Sequence, residues 1–155
     1  MPSRNMKKKT PPPPTEADVL ALYEEIMERE RTDKRPFLTI AFDFQMKYLW
    51  ESRKRGTLGR CTGADWNAPR YRMVDVMKRY GLGPALVADI AAHAFTYVRL
   101  FPVNRIYNPR DIYETELRNL FDYKTFHLAT RLNEAIGKKY RIRYQKSTDE
   151  TLVEV

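Results

Sequence analysis

A single cysteine, Cys61, excludes an internal disulfide, and with no catalytic partner in sight the thiol reads as a bystander. Only two histidines are present, so a histidine-based metal cluster has no material to form, and no Cys or Glu stands at ligand spacing to complete one. The six glycines nowhere fall into a G-x-x-x-x-G-K-[ST] phosphate loop. There is no apolar leader region and no Asn-x-Ser/Thr site, which predicts an intracellular, cytoplasmic or nucleoid-associated protein with no membrane partner. The longest apolar stretch, residues 84–101, is short for a bilayer at about 1.5 Å per residue and carries Asp89, His93 and Arg99.

What the chain does have is positive charge. The net charge is +8, and residues 34–80 hold eleven Lys or Arg against four Asp or Glu. An excess of this kind favours an anionic partner. A hydrophobic content of 43% and an aromatic content of 12% argue for one ordinary folded core.

The opening segment MPSRNMKKKTPPPP reads as a disordered basic arm over residues 1–14. Arg4, Lys7, Lys8 and Lys9 meet no acid, and four consecutive prolines hold them off the body as an extended spacer. Residues 15–155 then read as a single helical domain. Thr15 with Asp18 forms a capping box for a helix to about Arg31, apolar at Val19, Tyr23 and Ile26 and acidic on its outer face. Phe37 to Arg55 is predicted helical, with Phe37, Ile40, Ala41, Phe44 and Tyr48 on one side. The alternation of Leu38, Ile40, Phe42 and Phe44 offers a strand instead, and the continuing helical period tips the choice.

After a glycine-containing loop at 56–68, Asn67 is expected to cap a helix over 69–80 that Gly81 closes. Residues 84–101 form the predicted core helix, buried on two faces, with Pro84 in its first turn and Pro102 as its stop. A short strand through 104–107 comes next. Asn108 is then expected to cap a helix burying Tyr113, Leu117, Leu120 and Phe121, and a second helix runs from about 123 or 125 to Ile136. The chain ends in a β-hairpin, about 139–155, whose register sets Tyr144 opposite Val153, Ile142 opposite Val155 and Arg143 opposite Glu154.

The expected fold is therefore mainly α: five to six helices around a buried central helix, plus the hairpin. The order helix, strand, helix, helix, hairpin from residue 84 onward resembles a winged helix in layout. That resemblance implies a recognition helix at 125–137 presenting Lys124, His127, Arg131 and Asn133, and a wing at 146–150.

The sequence reading favours a small nucleic-acid-binding protein, DNA before RNA, acting in transcription, replication or genome packaging. Its phosphate contacts are assigned to the arm, to Arg53, Lys54, Arg55, Arg60, Arg70 and Arg72, to Lys124, His127 and Arg131, and to Lys138, Lys139, Arg141 and Arg143. Trp66, Tyr71 and Tyr80 are interleaved with these cations and are candidates for base stacking if exposed. The alternative is a protein-interaction module that sets the same basic face on an acidic partner, and the hairpin's free edge offers a route to a homodimer. No enzyme and no cofactor is expected. Asp89 and His93, four residues apart on a helix, are better read as a hydrogen-bonded pair than as acid–base catalysts.

Overall fold

The computed structural model describes residues 10–62, 72–104 and 106–155. The chain divides into two compact units, 1–34 and 35–155.

The first unit carries α1 (Glu16–Thr32). Thr15 Oγ1 accepts from Asp18 N (3.2 Å) and Asp18 Oδ2 accepts from Thr15 N (2.9 Å), which is the capping box read from the sequence. None of its residues is buried.

The second unit is built on a sheet, and this overturns the mainly α expectation. Among the described residues there are four helices in all and five strands in one mixed sheet of order β3-β2-β1-β4-β5. The strands are β1 (Phe37–Ile40), β2 (Leu49–Ser52), β3 (Arg60–Cys61), β4 (Arg141–Gln145) and β5 (Leu152–Glu154). Antiparallel pairing joins β1 to β2, β2 to β3 and β4 to β5, while β4 runs parallel to β1. Parallel neighbours need a long crossover, supplied by α2 (Met73–Tyr80), α3 (Pro84–Leu100) and α4 (Ile112–Ile136).

Phe37 to Arg55 is thus two strands and a connecting loop. The central strand β1 is buried on both faces: Leu38 and Ile40 enter the core with Leu49, Ile142, Val87 and Leu128, while Phe37 and Thr39 lie on the opposite side. A strand covered on both faces reads as a continuous apolar run, which a helical count also fits.

The helical part of the chain departs from expectation as well. The helices expected on either side of Asp122 are one, α4, because Phe121 to Thr125 contains no glycine or proline to end it. Its cap is Asp111, whose Oδ1 accepts from Glu114 N (3.1 Å), and its inward face is Glu114, Arg118, Phe121, Asp122, Thr125 and Leu128; Tyr113 and Leu120 face solvent at 87% and 68% exposure. The winged-helix layout fails with it, since residues 125–136 are the second half of α4 packed on the sheet and the hairpin is part of that sheet. The core helix α3 buries a single face through Leu86, Val87, Ile90, His93 and Ala94, leaving Phe95 half exposed.

Between Pro102 and Asn108 no strand forms among the described residues. Asn67 and Pro69 lie outside the described residues, and α2 is capped at Arg72 and closed by Gly81 in the left-handed conformation. The hairpin register is the one derived from side-chain pairing: Arg143 faces Glu154, Tyr144 faces Val153, and Val155 N donates to Ile142 O (3.0 Å).

Gly59 shows how closely the β2–β3 hairpin is drawn. Its φ is +80°, and a Cβ there would stand 2.1 Å from Glu51 O. Gly59→Ala is expected to cost more than about 1 kcal/mol and to raise amide exchange at Thr62, whose N–H donates to Leu49 O (2.8 Å) across the same hairpin. Unchanged exchange there would show that the hairpin tolerates the side chain.

Candidate nucleic-acid interface

The sheet register gathers basic segments that are far apart in sequence. Phe37 is paired with Ser52 on one side and Arg141 on the other, so the start of β1, the end of β2 and the start of β4 share one end of the sheet. The β2–β3 loop leaves from that end with Arg53, Lys54 and Arg55, and Arg60 follows at the head of β3. Arg35 arrives there just before β1 and donates to Gly137 O at the end of α4, beside Lys138 and Lys139. The last turn of α2, with Lys78 and Arg79, is joined to the same end: Arg79 Nη2 donates to Glu51 Oε2 (3.2 Å) and Tyr80 stacks edge-on against Tyr140. Arg35, Tyr80, Gly81, Asn133, Lys138 and Lys139 line a cleft of about 760 Å³ at this pole.

The loop 53–60, RKRGTLGR, holds four cations and no acid. Its backbone is held from inside. Ser52 Oγ donates to Lys54 O (3.0 Å), accepts from Lys54 N (3.0 Å) and shares a hydrogen bond with Thr57 Oγ1 (2.9 Å). Arg143 reaches across the sheet face and donates from Nη1 to Arg55 O, from Nη2 to Thr57 O (2.8 Å) and from Nε to Thr39 Oγ1 (2.9 Å). With its carbonyls turned onto Arg143, the loop leaves Arg53, Lys54 and Arg60 exposed and without an ion-pair partner among the described residues.

Two arginines assigned to phosphate are therefore occupied inside the protein. Arg143 is 2% exposed, and burial together with Arg55 and Arg141 pulls its pKa down from the usual value. Arg141 makes a two-pronged pair with Glu154, Nε to Oε1 (2.7 Å) and Nη2 to Oε2 (2.9 Å), so the ion pair runs diagonally from Glu154 and not to Arg143 opposite it. The guanidinium carbons of Arg143, Arg141 and Arg55 stand 4.2, 4.7 and 5.5 Å from the Phe37 ring centre. These three side chains roof the sheet face opposite the one on which α4 packs. Alternation in β4 showed that Arg141 and Arg143 share a face; it carried no sign that the face would be closed by their own stems.

The remaining expected contacts lie elsewhere. Lys124 and His127 are exposed on α4, and Lys124 is about 18 Å from the Ile136 end at 1.5 Å per residue. Arg131 is paired with Asp89 across α3 and α4 at 2.6 Å. Arg72 is exposed at the start of α2, while Arg4, Lys7, Lys8, Lys9 and Arg70 lie outside the described residues. So do Trp66 and Tyr71. Tyr80 is no stacking platform: its hydroxyl donates to Glu51 Oε2 (2.9 Å) and shares a hydrogen bond with Thr62 Oγ1 (2.6 Å), and burial holds its pKa well above the usual range.

Asp89 and His93 are not paired with each other. His93 Nε2 contacts Phe121 O (3.1 Å) and Thr125 Oγ1 (2.9 Å); a carbonyl can only accept, so Nε2 carries the proton. Burial lowers the His93 pKa to about 4, which leaves it neutral in the core.

The opposite end of the sheet differs in charge. There the β4–β5 turn places Asp149 and Glu150 beside an aromatic cleft of about 460 Å³ that includes Phe42, Phe44, Tyr97 and Tyr107. Arg118 is enclosed between Phe101 and Tyr107 and bound to Glu114 Oε1 (3.2 Å) and Ser147 O (2.7 Å), so its charge ties the turn to α4.

No helix among the described residues is long and apolar enough to cross a membrane. No protein-family model, no curated protein and no solved structure matches the chain.

Proposed function

We propose that the protein binds nucleic acid through this basic pole, with duplex DNA as its first ligand, and contacts phosphates rather than base edges. The observation that carries the reading is the β2–β3 loop: Arg53, Lys54 and Arg60 project from a backbone that Arg143 and Ser52 already hold. Lysine and arginine on a held backbone lose less freedom on binding, and each phosphate they neutralise releases a counterion. Lys138 and Lys139, at the rim of the neighbouring cleft, extend the same surface. Cations that reach phosphate without side chains aimed into a groove fit a sequence-tolerant role in packaging, replication or transcription.

Fluorescence polarisation of a labelled duplex across a salt series tests this. Log affinity is expected to fall linearly with log salt, and Arg53→Ala, Lys54→Ala and Arg60→Ala are each expected to reduce the slope by about 0.9. The triple variant is expected to lose roughly 2.7 of slope while its unfolding midpoint stays unchanged. Undetectable binding at low salt, or binding indifferent to salt, would overturn the reading and leave an acidic protein surface as the partner for the pole.

A further inference from the structure

Helix α1 has six large apolar side chains in water. Val19, Leu20, Leu22, Tyr23, Ile26 and Met27 are between 45% and 59% exposed. At 100° per residue they fill one arc of about 160°, wider than the stripe by which an ordinary helix faces a core. A lone 17-residue helix is also marginal in water. This helix needs a partner.

The charges indicate which. The first turn holds the acids Glu16 and Asp18, and the last holds Arg29 and Arg31 interleaved with Glu28 and Glu30. With Glu24 and Glu25 these acids leave the helix strongly negative, which opposes docking on an anionic lipid surface. Both cations of the helix lie in its last turn, so a copy running the other way sets them beside the first-turn acids Glu16 and Asp18.

We propose that α1 is a self-association element, packing antiparallel against α1 of a second copy and crossing beside Tyr23. That register brings Glu16 opposite Arg31, Asp18 opposite Arg29 and Leu20 opposite Met27. A parallel pair would set Glu16 and Asp18 against their own counterparts. Arg29 and Arg31 rest on Glu25 and Glu28 of their own helix, in pairs more than half exposed that exchange at little cost. This inference does not depend on nucleic-acid binding, since α1 belongs to the unit before residue 35 and the basic pole to the unit after it.

Sedimentation velocity on the full chain, from low-micromolar to sub-millimolar concentration, provides the test. A reversible monomer–dimer equilibrium is expected. Leu22→Ala combined with Ile26→Ala keeps helix propensity and is expected to weaken the dimer at least about tenfold. Glu16→Lys and Arg31→Glu, made separately so that the Thr15–Asp18 cap survives, are each expected to weaken self-association several-fold, and an equimolar mixture of the two to recover it. A monomer at every concentration overturns the proposal, as does a dimer indifferent to the alanine pair. So does a mixture no tighter than either charge variant alone. Far-UV circular dichroism of each variant separates loss of pairing from loss of the helix itself.

Discussion

Arg143→Ala is expected to lower stability by about 4 kcal/mol, read from urea unfolding against the parent chain. The guanidinium serves the carbonyls of Arg55 and Thr57 and the Thr39 hydroxyl at once, and it is stacked over Phe37. Removing it leaves three oxygens without their donor and opens the sheet face under Phe37. Arg143→Lys is expected to recover less than half of the loss, because one ammonium cannot reproduce a planar fork that spans both carbonyls. The same change loosens the β2–β3 loop, so duplex affinity is expected to fall about tenfold with the salt slope nearly kept, since Arg53, Lys54 and Arg60 remain. A stability within about 1 kcal/mol of the parent would show that Ser52 alone holds the loop.

Acid is expected to weaken the fold through His93. Its folded pKa of about 4 lies below the 6.5 of a free imidazole, so the unfolded chain binds the proton more readily. The stability His93 contributes is therefore complete above about pH 6.5 and is lost as pH falls toward 4, an expected decline of about 3 kcal/mol. Asp122, pushed above the ordinary carboxylate range by burial, takes up its proton early in the folded state and works against this slope at its acid end. The measurement is denaturant unfolding at intervals between pH 7 and 4 for the parent and His93→Gln. The difference between the two curves should shrink by that amount as pH falls. Parallel curves would mean that the ring is already solvated.

Both predictions rest on contacts between distant parts of the chain, and this explains what the sequence showed and what it hid. The α1 capping box depends on residues three apart, and the hairpin register depends on strands joined by a short turn. Gly81 and Gly137 mark the ends of α2 and α4 through local backbone chemistry. All of these were legible, because the interactions that decide them are local. The segment Phe37–Arg55 reads as a helix from sequence because its apolar positions fit two periods over a short span. Strand geometry prevailed once β4 was available to pair with β1, and Thr39 and Arg143, which meet across that pairing, are 104 residues apart. Likewise the inward face of α4 contains Glu114, Arg118 and Asp122, three charged residues that hydropathy assigns to solvent. Arg118 and Glu114 neutralise each other and Asp122 accepts from Ser147 N (2.8 Å), partners invisible to a helical count.

The candidate site divides in the same way. The run of cations at 53–60 and the excess of positive charge are properties of the sequence alone, and with them the class of partner the proposal invokes. Which cations stand in water was decided by tertiary structure. Arg141 and Arg143 look no different from Arg53 and Lys54 in a charge count, yet the sheet turns the first two onto Glu154 and internal carbonyls and leaves the second two outside. The physical reason is that charge is additive along a chain, whereas burial is set by what folds over it; here that cover is a loop which the buried arginine itself holds in place.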